Sequence, residues 1–224
     1  MTLDPHSLDI LAAIDALPYG GRPLVVSDVD EVAVYFVRHF ERYLERSGFR
    51  LDAVSYGLTG NIRHGATDEA AGQDDVRRLL FGFFDDEIAH QEVVEDAVEV
   101  LGRLAERADV VLLTNAPHKH RETRRISLAA RGLPYPVLTN DGPKGPAMAR
   151  LAARAEGPVF FLDDSPSNLV SVRETLPDAH VIQFVADPRF FAMAREIPGM
   201  NLRANRWAEV EAYIAGVIAA HAQQ

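Results

Sequence analysis

The chain has 224 residues, 47% of them hydrophobic, with 23 basic and 33 acidic side chains and a formal net charge of −10. It lacks cysteine, which excludes disulfides, thiolate catalysis and cysteine-ligated zinc. An acidic surface argues against non-specific binding to nucleic acid or to a membrane, and the length suits one core domain with a modest insertion.

The amino-terminal segment MTLDPHSLDILAAIDALP carries acids and no Lys or Arg, the wrong pattern for a secretory signal. No apolar run is long enough to span a bilayer, so a cytoplasmic location is expected. Residues 7–17 read as a short amphipathic helix, broken by Pro18 and Gly20-Gly21. A strand follows at 23–28. Over 33–46, Phe36, Val37, Phe40, Tyr43 and Leu44 recur at helical spacing, with Arg38, His39, Glu41, Arg42 and Glu45 on the other side. Ser47-Gly48 stops that helix. The segment 51–72 is irregular and rich in Gly, Thr and Asn. Helices are expected at 74–90 and 92–107, the second from the stripe Val94, Ala97, Val98, Leu101, Leu104 and Ala105.

Further strands are expected at 109–114, 135–139, 158–163 and 180–185. The helix between the first two runs over 118–131 and ends at Gly132. Lys144 opens another, with Met148, Leu151 and Ala152 inward. Ser165-Pro166 and Asp187-Pro188 carry the signature of an N-cap followed by proline at the first helical position. A last helix covers 205–220, anchored by Trp207. Alternating strands and helices imply a Rossmann-like parallel α/β sheet with helices on both faces.

Three apolar runs end in polar residues. Leu24-Val25-Val26-Ser27 leads to Asp28-Val29-Asp30, Val110–Leu113 leads to Thr114-Asn115, and Val159–Leu162 leads to Asp163-Asp164. Lys144 lies before the third run. Buried parallel strands deliver such residues to their carboxyl ends, where open α/β sheets bind ligands. Crowded carboxylates repel and call for a cation, a shared proton or both. A Mg²⁺ site beside a carboxylate nucleophile meets that need.

This order resembles the haloacid dehalogenase-like (HAD) hydrolase superfamily. Its pattern is DxD after the first strand, Ser/Thr after the second, then Lys/Arg, then an acidic pair. The resemblance spans residues 22–187. It implies a phosphatase with Asp28 as nucleophile, forming an aspartyl-phosphate, and Asp30 as general acid. Asp28, the backbone carbonyl of Asp30 and Asp163 would hold Mg²⁺. Asp164 would be a ligand through water or an orienter of Lys144, and reads equally as a helix cap. Thr114, Lys144 and the backbone N–H groups of Val29 and Asn115 would bind the phosphoryl group. The substrate class would be a small phosphorylated metabolite.

Roughly eighty residues separate the first and second apolar runs, where a bare crossover needs about a dozen. The resemblance makes them a small, mainly helical cap over 33–91, inserted in a core of 1–32 and 92–224. An apolar face on its helices would allow a homodimer. Arg63, His64 and Asn61 become candidate contacts to the leaving group, although a surface loop is the simpler reading. His118-Lys119-His120-Arg121 reads as a solvated helix start. Phe81, Phe83, Phe84, Phe190 and Phe191 read as packing residues.

One feature departs from the family pattern. Glu31-Val32 stands where phosphatase members commonly carry a small pair such as Gly-Thr. Glu31 leaves a second function open, a catalytically slow or inactive phospholigand- or protein-binding module on the same fold. Dehalogenase activity ranks behind phosphatase, since Asp30 favours phosphoester over carbon–halogen chemistry, and so does phosphomutase, which would use the same residues with a sugar hydroxyl in place of water.

Overall fold

The computed structural model describes residues 5–18 and 20–223, with side chains from residue 10 onward. Met1–Asp4, part of the amino-terminal reading above, lie outside the described residues. Six strands form one parallel sheet. In chain order they are β1 (Leu24–Ser27), β4 (Asp109–Thr114), β5 (Val137–Thr139), β6 (Val159–Asp163), β7 (His180–Phe184) and β8 (Leu202–Ala204), and in space they run β5-β4-β1-β6-β7-β8. β1 sits between β4 and β6, so all three polar strand ends meet in the middle of the sheet.

The strands are continuous apolar runs because both faces are covered. Val25, Leu112, Phe160 and Ile182 pack on one side with α4 (Ala97–Ala105), α5 (Arg121–Ala130) and α9 (Trp207–His221). Leu24, Val26, Leu113 and Phe161 point the opposite way, as alternate residues of a strand must. They meet α6 (Gly145–Ala152), α7 (Pro166–Thr175) and, through Ile10 and Ile14, α1 (Pro5–Asp15). No helix among the described residues is long and apolar enough to cross a membrane.

Between β1 and α4 the chain builds a separate apolar cluster. It comprises α2 (Val37–Arg46), an antiparallel hairpin of β2 (Phe49–Leu51) and β3 (Ile62–His64), and α3 (Gln73–Glu87). Phe40, Leu44, Phe49, Ile62, Leu79 and Phe83 fill it. The hairpin lies in the stretch read from sequence as irregular.

Several boundaries differ from expectation. The helix expected over 33–46 starts only at Val37. Residues 29–34 form a tight turn in which the Val29 carbonyl accepts from the N–H groups of Ala33 and Val34, both at 2.9 Å. The helix expected over 92–107 starts at Ala97, because Val93 bridges Val34 in an extended return and Asp96 takes a left-handed φ of 64°. His39, expected on the solvent face, is buried, and its Nε2 accepts from the Glu92 N–H at 3.0 Å. Phe83, Phe84 and Phe190 are buried as expected, but Phe81 is 43% exposed beneath the Arg77 guanidinium. Trp207 does anchor the last helix, donating from Nε1 to the Val32 carbonyl at 3.1 Å. Asp187 caps α8 (Pro188–Met193), accepting from the Arg189 and Phe190 N–H groups. Ser165 holds the N-cap position of α7 but makes no side-chain cap bond.

Candidate active site

Asp28 follows β1 and Asp163 ends β6, on adjacent strands. Lys144, at the start of α6, reaches between them and donates from Nζ to Asp28 Oδ1 at 2.6 Å and to Asp163 Oδ2 at 2.7 Å. Its side chain is 1% exposed. Burial works against the ammonium, but the Asp163 and Asp28 carboxylates outweigh it and hold its pKa above the ordinary lysine value. Burial pushes Asp28 up to about 7, with Lys144 opposing and Asp163 and Asp30 adding to the rise. Asp163 Oδ1 accepts from the Ser165 N–H at 2.8 Å and from Asn168 Nδ2 at 3.2 Å.

Asp28, Asp163 and Asp164 each offer an oxygen within 4.8 Å of the others. Three carboxylate oxygens so placed match the hard, oxygen-only ligand preference of Mg²⁺. Burial, then Asp163 and Asp28, raise the Asp164 pKa well above the usual carboxylate range, which is the state that a divalent cation would relieve. The Lys144 bonds go to Asp28 and Asp163, and the ammonium acts on Asp164 through charge alone, opposing the rise in its pKa. The partner of Asp164 is Tyr56, whose hydroxyl donates to the Asp164 carbonyl at 2.6 Å and to Oδ2 at 3.2 Å.

The Asp30 carboxylate lines the same cavity but is held by other partners. Both oxygens accept from Arg124 Nη2, at 2.9 and 2.8 Å, and Oδ1 also accepts from Gln91 Nε2 at 2.9 Å. Arg124 Nη1 in turn donates to Gln91 Oε1 at 2.6 Å. A buried guanidinium and an amide thus flank Asp30. Thr114 is buried beside the pair, its Oγ1 3.4 Å from Asp30 Oδ2. The Asn115 side chain donates to the Gly142 carbonyl at 2.9 Å and steadies the loop before Lys144.

Glu31 is buried rather than facing outward. It adopts φ 64°, a left-handed conformation that a non-glycine residue holds only under constraint. The constraint is visible: its carboxylate accepts from the N–H groups of Val37 (2.7 Å) and Phe36 (3.1 Å), at the start of α2, and of Asp187 (2.6 Å). Burial pushes Glu31 up to about 7 against those three bonds. Its carboxylate is the joint between the turn at 29–34, α2 and α8.

A cavity of about 260 Å³ opens onto these groups, lined by Asp28, Asp30, Thr114, Lys144 and Asn168, and by Phe36, Leu80 and Phe84 from the segment between β1 and α4. Arg63 and His64 do not line it. Arg63 pairs with Asp52 at 3.3 Å, and His64 lies 3.8 Å from Asp75. Asn61 staples its own loop through the Ser55 and Gly57 carbonyls. His120 bonds Asp85 of α3 at 2.7 Å, with Lys119 on the same carboxylate, so this basic start of α5 ties α3 to the sheet.

Arg124, Gln91 and Asn168 were not singled out in the sequence. Arg124 sits in an Arg-rich helix start indistinguishable from a solvated one. Asn168 did carry a signal, five residues beyond Asp163 on the helix that Ser165-Pro166 opens.

No family model matches the chain, and no curated protein matches it in sequence. Many solved structures share its fold. A haloacid dehalogenase-like family hydrolase from Streptococcus pneumoniae superposes with a TM-score of 0.60 at 11% identity, over 86% of this chain and 98% of its own. A HAD-hydrolase from Bacillus subtilis, solved bound to magnesium, gives 0.59 at 10% identity, over 87% and 99%. A HAD family hydrolase from Deinococcus radiodurans, solved with bound phosphate and sodium, gives 0.56 at 16% identity, over 89% and 97%. The parallel sheet order, the acidic strand ends and these superpositions agree: the chain has the fold of the haloacid dehalogenase-like hydrolases.

Proposed function

We propose that the protein is a Mg²⁺-dependent phosphatase acting on a small phosphomonoester through Asp28. The observation that carries this reading is Lys144 bridging Asp28 and Asp163 at 2.6 and 2.7 Å, with Asp164 beside them. The fold it shares with a magnesium-bound and a phosphate-bound hydrolase supports it.

Asp28, the Asp30 carbonyl, Asp163 and Asp164 would hold the ion, which would supply charge neutralisation at a phosphoryl oxygen. An Asp28 carboxylate oxygen attacks phosphorus, the bond to the leaving oxygen breaks, and that oxygen keeps the electron pair and takes a proton from the Asp30 carboxyl, which regains one from the water that attacks next. Water then attacks phosphorus, the bond to Asp28 breaks, and inorganic phosphate leaves. Lys144, Thr114 and the N–H groups of Val29 and Asn115 would stabilise the three equatorial oxygens. Asn168 keeps Asp163 in place. Residues 33–91 would act as a cap, closing the cavity with Phe36, Leu80 and Phe84, on a core made of 1–32 and 92–224. The absence of cysteine fits a cytoplasmic home.

A second reading draws on one observation. Both Asp30 oxygens accept from the buried Arg124, an ion pair that would have to loosen before Asp30 could serve the leaving group, as suits a slow enzyme or a phospholigand-binding module.

The test is phosphate release from a panel of phosphomonoesters, with and without Mg²⁺, for wild type and Asp28→Asn. Metal-dependent release that disappears in Asp28→Asn is expected. Release persisting in Asp28→Asn would rule out the covalent route. Tight phosphate binding by a silent wild type would favour the binding module.

A further inference from the structure

The cavity at the nucleophile has an annex. A second space of about 150 Å³ shares Glu31, Phe36 and Asp164 with it and is walled by Val37, Leu58, Val185 and Phe190. The first space is lined mainly by polar residues and the second mainly by apolar ones, apart from the two shared acids and Tyr56 beside Asp164, and Phe36 lines both. The wall facing the phosphoryl end is apolar as well, from Leu80, Phe84 and Ala116.

Charge sharpens the picture. Lys144 is the only basic side chain among the described residues lining either space, and both its close contacts are carboxylates. Besides Tyr56, the other ionisable lining groups are all carboxylic acids: Asp28, Asp30, Glu31 and Asp164. Arg63 and His64, the cations that the hairpin might have offered, are held by Asp52 and Asp75 outside the site. A leaving group with its own carboxylate or second phosphate would lose its water and find no cation beyond Lys144 and the bound ion, both already engaged by the acids and the phosphoryl group. An apolar one would exchange water for Phe36, Leu80, Phe84 and Phe190.

Resting on the phosphatase reading, we propose that the leaving group is uncharged and apolar, of aryl or arylalkyl type, seated along Phe36 toward the annex. Substrates whose leaving group bears a carboxylate, a second phosphate or several hydroxyls are selected against.

The experiment has a kinetic and a binding arm. Phosphate release is measured with Mg²⁺ from benzyl phosphate, phosphoglycolate, glucose 6-phosphate and acetyl phosphate. Binding of benzylphosphonate and phosphonoacetate, which cannot be hydrolysed, is measured by calorimetry. The expected result is a kcat/KM for benzyl phosphate at least about tenfold above phosphoglycolate and glucose 6-phosphate, and a similar ratio between the two phosphonates. Leu80→Arg, a substitution at a partly exposed position, is expected to shrink both ratios, and Phe84→Ala serves if that variant does not fold. Equal or better use of phosphoglycolate or glucose 6-phosphate would overturn the proposal. Tight benzylphosphonate binding with no turnover of any ester, acetyl phosphate included, would leave the pocket assignment standing and defeat the phosphatase reading. Silence in both arms would defeat both.

Discussion

The Arg124 guanidinium grips both carboxylate oxygens of Asp30 through one nitrogen, at 2.9 and 2.8 Å, from a side chain that is 1% exposed. A second nitrogen holds Gln91, which itself donates to Asp30. Removing one partner from such a buried pair leaves charge without compensation. Arg124→Met is therefore expected to destabilise the fold by about 3 kcal/mol, the lower end for buried pairs because Asp30 keeps some contact with solvent. For a chain of this size that is a fall in Tm of roughly 6–12 °C. Arg124→Lys should fall between, since a single ammonium cannot hold both Asp30 and Gln91. A Tm unchanged in Arg124→Met would show the pair to be energetically idle.

Gly145 sets the position of Lys144. A Cβ there would come within 2.7 Å of the Ser171 carbonyl oxygen and closer still to the Ser171 and Thr175 hydroxyls. α6 and α7 can approach only because nothing is there. Gly145→Ala should force the helices apart and move the neighbouring ammonium. An expected loss of at least about tenfold in kcat, with a stability cost of about 1–3 kcal/mol, follows from overpacking. Activity at the wild-type level would show that Lys144 tolerates the shift.

Glu31 makes stability depend on pH. Its carboxyl is pushed up to about 7 from an ordinary 4.5, so the folded protein binds this proton more tightly than the unfolded chain does. The contribution is full below about 4.5 and is lost as pH rises through about 7, amounting to up to about 3 kcal/mol. Urea unfolding of wild type and Glu31→Gln at pH 4.5, 6 and 8 should show the difference between them changing in the wild type's disfavour as pH rises. A difference that is flat with pH would place the titration elsewhere.

His39 carries the opposite sign. Burial lowers its pKa, and its Nε2 accepts from the Glu92 N–H, so the folded state holds the ring neutral. The stability it contributes is present above the ordinary histidine value of 6.5 and is lost as pH falls, with about 1 kcal/mol at stake in the hydrogen bond. Comparing wild type with His39→Gln between pH 5 and 8 should reveal a wild-type advantage confined to the upper part of the range. An advantage of equal size at pH 5 would count against the neutral ring.

The sheet was legible because its signal is local. Val25-Val26 or Val110–Leu113 announces a doubly covered strand from composition alone, and the residue that follows such a run must emerge at the strand end. Asp28 and Asp163 were legible as strand ends for the same reason, whereas Lys144, at the start of a helix, was placed only by the family resemblance. The three-residue strands β2, β3 and β8 were missed because Arg50, Arg63 and Arg203 interrupt them and leave no apolar run, whereas the equally short β5 has no such break. Arg124 was missed because its burial depends on Asp30, 94 residues away in sequence, and on Gln91, 33 away. Glu31 was read as a break in a motif, whereas its three backbone donors come from two other segments of the chain.

The hydrogen bond from Trp207 to the Val32 carbonyl spans 175 residues of sequence. It fastens the turn beside the nucleophile to the last helix, and β1 itself lies between strands that are made much later. The site therefore has high contact order, and loops this long must close before its contacts form. During synthesis the nucleophile strand emerges early and waits for most of the chain. Folding should accordingly be slow for a protein of this size, with the nucleophile turn among the last parts to become protected from hydrogen exchange.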